Sequence, residues 1–577
     1  MKMRILSLVL MVAATAGRAV ADPPERVARI SFLSGAASFR TAEATEWTPA
    51  TLNYPITIGD HVWTDRAGRL ELQMGATAVD LDAMTSASVL NLDHHIVQLR
   101  VTQGLVIVRV RELASDESLE IDTPNGAVTP LRPGLYRIDV SPNGDATTLT
   151  VRRGDADVAA GASSFPVHER ESMTITGLNE PDHALVATIP LDEFEDWVTF
   201  RDRQVDSLTT VRYVPRAVVG YEDLDEFGTW RVVAEYGPVW VPHVRPAWAP
   251  YRFGHWAWVE PWGWTWIDDA PWGFAPFHYG RWAYVADGWV WVPGAIVVRP
   301  VYAPALVAFV GGANWRVGVN VGAPVGWFPL GPREAFVPAY TVSPAYVVAM
   351  NRPHVSVTNV NINITNVTYV NRAVPGAVTV VPRETFAGAR PVAAAAVAVS
   401  PQALSGAAVV GHAAPREIGP AAVARSRTTV APPPTVFNRA VVVRTPPPAT
   451  AAPVPAVHRA TVNMPAPIRP AMPPLPPAAP LAAAAPPATV TRAAPDHAAA
   501  DLAGRHAQEQ IEIEARHASE RAELQARQRE ELARAASAQA QAETRARHAR
   551  EQAEQESRQK SEHADTRKRQ ESERRNK

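Results

Sequence analysis

The sequence predicts a mainly β protein: an all-β domain and a tryptophan-rich antiparallel β repeat domain, then a Pro/Ala-rich linker and a long charged C-terminal α-helix. Three observations carry that reading. Short runs of alternating apolar residues, separated by turn dipeptides, fill the first third of the chain. Fourteen of the 17 tryptophans lie between positions 230 and 327, at a regular period. Proline supplies 24 of the residues from 381 to 500, and beyond about 498 Glu, Arg, Gln and Ala take over.

Composition sets outer limits. The chain has 577 residues, 53 of them proline, and no cysteine. Lack of cysteine excludes disulfides, thiolate metal sites, cysteine nucleophiles and a bacterial lipoprotein anchor. Net charge is -2 and names no partner, but the charge is unevenly placed. Residues 22–227 carry 33 acidic and 17 basic side chains, whereas residues 228–500 carry 9 and 19. These parts are suited to attract each other or to meet different partners.

Lys2 and Arg4 precede an apolar run from Ile5 to about Ala16, and Ala19-Val20-Ala21 follows with small residues at the recognition positions. This is the pattern of a secretory signal peptide, residues 1–21, cleaved after Ala21. A run of that length is too short to span a bilayer. The expectation is an exported protein, periplasmic or extracellular, with no transmembrane segment after cleavage.

Residues 26–180 read as the first β domain, a sandwich or solenoid-like sheet. Val27 to Phe32, Leu70 to Met74 and Val106 to Val110 alternate, and Gly59-Asp60, Asn125-Gly126 and Asn143-Gly144 mark turns. The motifs Gly59-Asp60-His61-Val62-Trp63-Thr64, Thr123-Pro124-Asn125-Gly126-Ala127-Val128 and Gly134-Leu135-Tyr136-Arg137 resemble a FecR-type extracytoplasmic domain. That resemblance implies signalling to a sigma factor in iron-uptake members, which carry a cytoplasmic segment and a membrane span first. A signal peptide stands in their place here, so FecR-type signalling is the weaker expectation. His94-His95 suggests a metal, but adjacent residues on a strand face opposite sides, and a turn or surface pair fits better. Asp80 and Asp82 share a strand face and read as a solvated acidic edge.

Residues 191–208 place Leu191, Phe194, Trp197, Val198, Val205 and Leu208 at helical spacing and predict an amphipathic connecting helix. The second β domain follows, residues 218–372. Phe227-Gly228-Thr229-Trp230 recurs 26 residues on as Phe253-Gly254-His255-Trp256, and again as Tyr279-Gly280-Arg281-Trp282. Trp240-Val241 likewise matches Trp266-Ile267 and Trp291-Val292. A repeat of this period is a tandem supersecondary unit, here a β-hairpin. Trp256, Trp258, Trp264 and Trp266 form an aromatic ladder across one pair, and Trp282, Tyr284, Trp289 and Trp291 repeat it. Two readings stay open for these indoles. They are the core of a small sheet, or Trp256, Trp258, Trp264, Trp266, Trp282, Trp289 and Trp291 line an exposed face that stacks on sugar rings. Tyr236-Gly237-Pro238-Val239-Trp240-Val241-Pro242, His278-Tyr279-Gly280-Arg281-Trp282 and Val325-Gly326-Trp327-Phe328-Pro329-Leu330-Gly331-Pro332-Arg333-Glu334 resemble a DUF6600-type domain of uncharacterised bacterial exported proteins. The resemblance implies architecture and export, and no activity.

His354 to Asn371 alternates Asn, Thr and Val and reads as an extended pairing strand. Residues 375–497 read as a disordered, partly polyproline II linker. Residues 498–577 read as a charged helix, with too few apolar seam residues to assign a coiled coil outright; self-association through it stays open. Gly-x-Ser-x-Gly and His-Glu-x-x-His are both absent, and no catalytic residue, metal or cofactor is assigned. The functional expectation is a non-catalytic envelope scaffold or binding module. Its partner would be an envelope protein or a cell-wall glycan, peptidoglycan or polysaccharide. Nucleic acid is not expected, because acids balance the arginines of the tail.

Overall fold

A computed structural model describes residues 22–177, 181–286, 288–311, 315, 324–355, 367–405, 407–411, 430–448 and 457–459, with scattered positions from 524 to 572. The expected signal peptide, most of the Asn-rich alternation and the greater part of the Pro/Ala-rich stretch lie outside these residues. Two units are present, divided after Met464. In the second, the described positions from Leu524 to Ser572 are helical, and the expectation of one continuous helix or coiled coil falls largely on residues outside the description.

Among the described residues, the first β domain contains seventeen strands. They form two layers that share the long strand Ile96–Val110. Its first half pairs with Ser86–Leu92 and, in parallel, with Ser118–Asp122. Its second half pairs with Thr77–Leu81 and Gly134–Val140. The change of partners falls at Gly104, whose φ is +94° and whose absent Cβ leaves room for Thr85. Alternation sends Val97, Leu99, Val101, Val106 and Val108 into the core between the layers, with Ile121, Tyr136 and Val151 against them.

The helix expected over 191–208 spans Glu193–Asp206. Asp192 caps it by accepting the N–H of Glu195 at 2.9 Å. The helix covers the face of the sheet that carries Asp80. Arg201 reaches down and donates to both oxygens of Glu71, at 2.8 and 2.9 Å. Asp80 is therefore 2% exposed, not part of a solvated edge, and burial with Glu71 beside it holds its carboxyl well above the usual range. Asp82 pairs with Arg69 at 3.1 Å.

Three hairpins follow. Gly228–Val233 pairs with Gly237–Pro242, Gly254–Val259 with Gly263–Asp268, and Arg281–Val285 with Gly288–Val292. The first and third join into one four-stranded sheet through Trp240 and Trp291. A further four-stranded sheet sets Thr379–Pro382, Pro324–Pro329, Val307–Gly311 and Ala408–Val410 side by side.

That last sheet corrects the expected boundary at 372 and the linker from 375. Val380, Val381 and Phe386 are core residues of the second domain. Val441, Val442 and Val443 are buried against the first. Proline content averaged over a long window hides these runs of three β-branched residues, each long enough for one strand.

The two β domains are joined by buried contacts. Val27 packs in the core of the second domain with Val214 and Tyr221. Asn53 donates to the carbonyls of Asp268 and Ala270 at 3.2 and 2.7 Å. Gln73 accepts the Gly220 N–H at 2.7 Å.

Candidate functional site: the aromatic cavity

The register places an indole opposite an indole in every hairpin. Trp230 faces Trp240, Trp256 faces Trp266, and Trp282 faces Trp291. The repeated glycine explains why these large rings fit. A Cβ on Gly228 would lie 2.3 Å from Trp240 Cε2, and one on Gly280 would lie 2.3 Å from Trp291 Nε1. At Gly254 it would meet Trp266 at 2.8 Å. Each repeat seats its second-strand indole on the bare backbone of its own first strand.

Burial divides the seven tryptophans named from the sequence. Trp256, Trp266 and Trp291 are fully buried, Trp282 is 1% exposed and Trp289 is 6% exposed. These five are core side chains and do not share an open stacking face. Trp256 is surrounded by Trp266, Phe309, Trp327 and Phe386, with centroids 5.2 to 5.5 Å away. The reason is topological. The sheet that holds Phe309 and Trp327 and the short helix that holds Phe386 close over the second hairpin, where the repeat alone leaves that face open.

Trp258 and Trp264 remain half-buried. They face each other across the second hairpin, edge to face, with centroids 5.4 Å apart. The Trp258 N–H donates to Glu260 at 2.6 Å. Together they flank a cavity of about 370 Å³. Its other walls include Trp262, Phe309, Phe336, Tyr340 and Tyr369. The size falls within the ordinary range of ligand pockets, about 300–1,000 Å³. Tyr340 and Tyr369 bring hydroxyl groups to the lining residues, and burial holds that of Tyr340 well above the usual phenol range.

Buried polar groups brace the cavity from behind. Glu334 closes the turn after Leu330, accepting the N–H of Gly331 and of Val370, each at 2.7 Å. Arg281, 2% exposed, donates to the Glu334 carbonyl and to Asn351 at 3.0 Å. The motif ending in Glu334 is thus a structural clamp. Phe336, Tyr340 and Tyr369 are not legible from the sequence as sharing the cavity with Trp258, because they lie outside the repeat and arrive through irregular segments.

Among the described residues, no group of three or more His, Asp or Glu side chains is placed to hold a metal ion. His94 points to Glu25 at 3.2 Å and His95 to Asp116 at 3.5 Å, so the two rings separate as their places in the chain suggest. No described helix is long and apolar enough to cross a membrane.

Residues 221–334 match the model of a family of unknown function, DUF6600. No curated protein matches the chain. Two crystal structures of a proposed anti-sigma factor from Parabacteroides distasonis share 14% identity with it, at a TM-score of 0.20. They match over 22% of this chain and 60% of theirs.

Proposed function

We propose that the protein is a non-catalytic, exported envelope component that acts as a scaffold or binding module, with the aromatic cavity as its ligand seat. The observation that carries this reading is the half-burial of Trp258 and Trp264 at the cavity while the other five tryptophans named from the sequence are spent on the core. Such a cavity takes an apolar or ring-shaped group and orients it through few polar contacts. Export rests on the signal-peptide pattern of residues 1–21.

The narrower reading is a cell-wall glycan ligand. What favours it is the pair of indole faces beside a polar edge, Glu260, an arrangement suited to a sugar ring. The test uses the full chain. Co-sedimentation with peptidoglycan is compared between the parent and a Trp258→Ala, Trp264→Ala variant, alongside titration with a small apolar fluorophore. Glycan binding lost in a folded variant supports the narrower reading. Fluorophore binding alone, lost in the variant, supports an apolar ligand. Neither parent signal would remove the cavity as a ligand seat.

A further inference from the structure

The parallel strands Ile96–Arg100 and Ser118–Asp122 present one side to the core and one outward. Leu99, Leu119 and Ile121 point inward. Gln98 and Arg100 stand opposite Glu120 and Asp122 on the outer side, where polar residues belong. Yet each of these four is at most 1% exposed. What buries them is a stretch of the proline-rich region more than three hundred positions further along.

The stretch runs from Val430 to Thr445 and is gripped along its length. Ser38 donates to the Val430 carbonyl. Phe437 packs its ring edge to face with His61, centroids 4.7 Å apart, under the Arg40 guanidinium. Arg100 donates to the carbonyls of Phe437 and Arg439 at 2.7 and 2.6 Å. Arg439 in turn donates to the carbonyls of Thr102 and Pro142. Val442 packs on Ala127 and Ala159, and its N–H donates to the Thr123 carbonyl at 2.9 Å. Glu120 accepts the N–H groups of Arg444 and Thr445 at 2.7 and 3.0 Å. The Arg444 side chain ends on Asp157, Ser164 and Thr129.

We propose that this outer face is a peptide-recognition groove, occupied at rest by residues 430–445 of the same chain. Once that stretch leaves, it accepts an extended peptide of the same pattern: an aromatic residue, an arginine two positions after it, three β-branched residues and a second arginine seven positions after the aromatic residue.

Two features separate a recognition groove from ordinary packing. The grip is directed at main-chain carbonyls and amides, Glu120 included, which any extended peptide supplies, while Ala127, Ala159 and Asp157 select side chains at fixed spacing. The resident stretch also leaves the groove incompletely satisfied. Gln98 Oε1, Arg100 Nε and Asp122 Oδ1 are buried with no hydrogen-bond partner among the described residues. Most of the contacts are hydrogen bonds that exchange for bonds to water at small net cost, so an occupant held this way is replaceable.

The test uses the full chain and a fluorescein-labelled synthetic peptide of residues 430–447. A release variant, Phe437→Ala with Val442→Glu, loosens the resident stretch and leaves both arginines as trypsin sites. Expected results are at least tenfold faster cleavage after Arg439 and Arg444 in the release variant, and peptide binding at least tenfold tighter than to the parent. Adding Glu120→Lys and Asp157→Lys to that variant should abolish binding while cooperative unfolding persists. If the release variant fails to unfold cooperatively, Arg439→Gln with Arg444→Gln replaces it, and peptide binding alone is read. Absence of peptide binding to a folded release variant overturns the proposal. Equal binding to the variant with the reversed groove charges also overturns it.

Discussion

Arg29 Nη2 lies 3.2 Å from the carboxylate of Glu222, a residue 193 positions away in the other β domain, and the Arg29 side chain is 1% exposed. Asp223 accepts from the same nitrogen. One guanidinium thus satisfies two carboxylates at the join. Burial pushes Glu222 up to about 7 even with this cation beside it.

Removing that cation strands two buried acids. Arg29→Met should destabilise the joined domains by about 3–5 kcal/mol. Urea unfolding at neutral pH measures it. Adding Glu222→Gln and Asp223→Asn should restore part of the loss, because the neutral groups no longer need a counter-charge. No restoration in the triple variant would mean that packing, and not charge, makes Arg29 necessary.

Stability should depend on pH through buried groups of both kinds. Burial depresses His61 and His278 to about 3, so the unfolded chain takes up protons first, and stability falls as pH drops below the ordinary histidine range. Burial raises Asp268 to about 8, so the folded chain holds a proton that the unfolded chain has released. Its contribution is full below about pH 4, falls progressively as pH rises and is gone above about 8. Asp268→Asn should flatten the alkaline limb, whose slope reaches about 1.4 kcal/mol per pH unit for one such group. Thermal unfolding from pH 6 to 9 reads the slope independently of any overall loss from the mismatched Trp266 N–H, which donates to Asp268 at 2.9 Å.

The indoles should separate by energy as they do by burial. Trp256→Ala should cost about 3–5 kcal/mol, as for a fully buried aromatic. Trp258→Ala and Trp264→Ala should cost clearly less. Denaturant midpoints decide this, and comparable losses at all three positions would return Trp258 and Trp264 to the core.

Two glycines offer a controlled comparison. Gly228→Ala drives a Cβ into Trp240, whose ring is pinned by its N–H donating to Leu224 at 2.7 Å. Gly237, at φ +73°, has open space where a Cβ would go. Gly228→Ala should cost about 1–3 kcal/mol from overpacking. Gly237→Ala should cost about 1–2 kcal/mol from the left-handed backbone alone. Only the first should change near-UV circular dichroism, which reports indole packing.

Much of the fold was legible because its signals are local. Alternation and turn dipeptides predict the strands of the first domain, and the 26-residue spacing predicts the three hairpins with their facing tryptophans. The state of those tryptophans was not legible. Whether Trp256 is core or platform depends on Phe309, Trp327 and Phe386, which reach it from distant segments with no shared period. Asp80 departs from the expected solvated edge for the same reason, since Arg201 and its helix cover a face that alternation alone leaves wet. The ordered pieces at 379–387 and 434–443 were hidden by the prolines around them. Their partners lie on finished sheets, so the sequence near them carries no pattern of its own.

The stitching of Val27 and Arg29 into the second domain has a consequence for how the protein is made. The Glu25 carbonyl accepts the Tyr302 N–H at 2.9 Å, so the backbone leading into the strand Ala28–Ser34 is paired with a residue synthesised long after it. At about 5–20 residues per second, the 193 positions between Arg29 and Glu222 take roughly 10–40 s to appear. Throughout that interval the opening strand has a charged and an apolar side chain with nowhere to go. The nascent first domain is therefore an unfinished object, and any truncation ending before Tyr221 makes that transient exposure permanent.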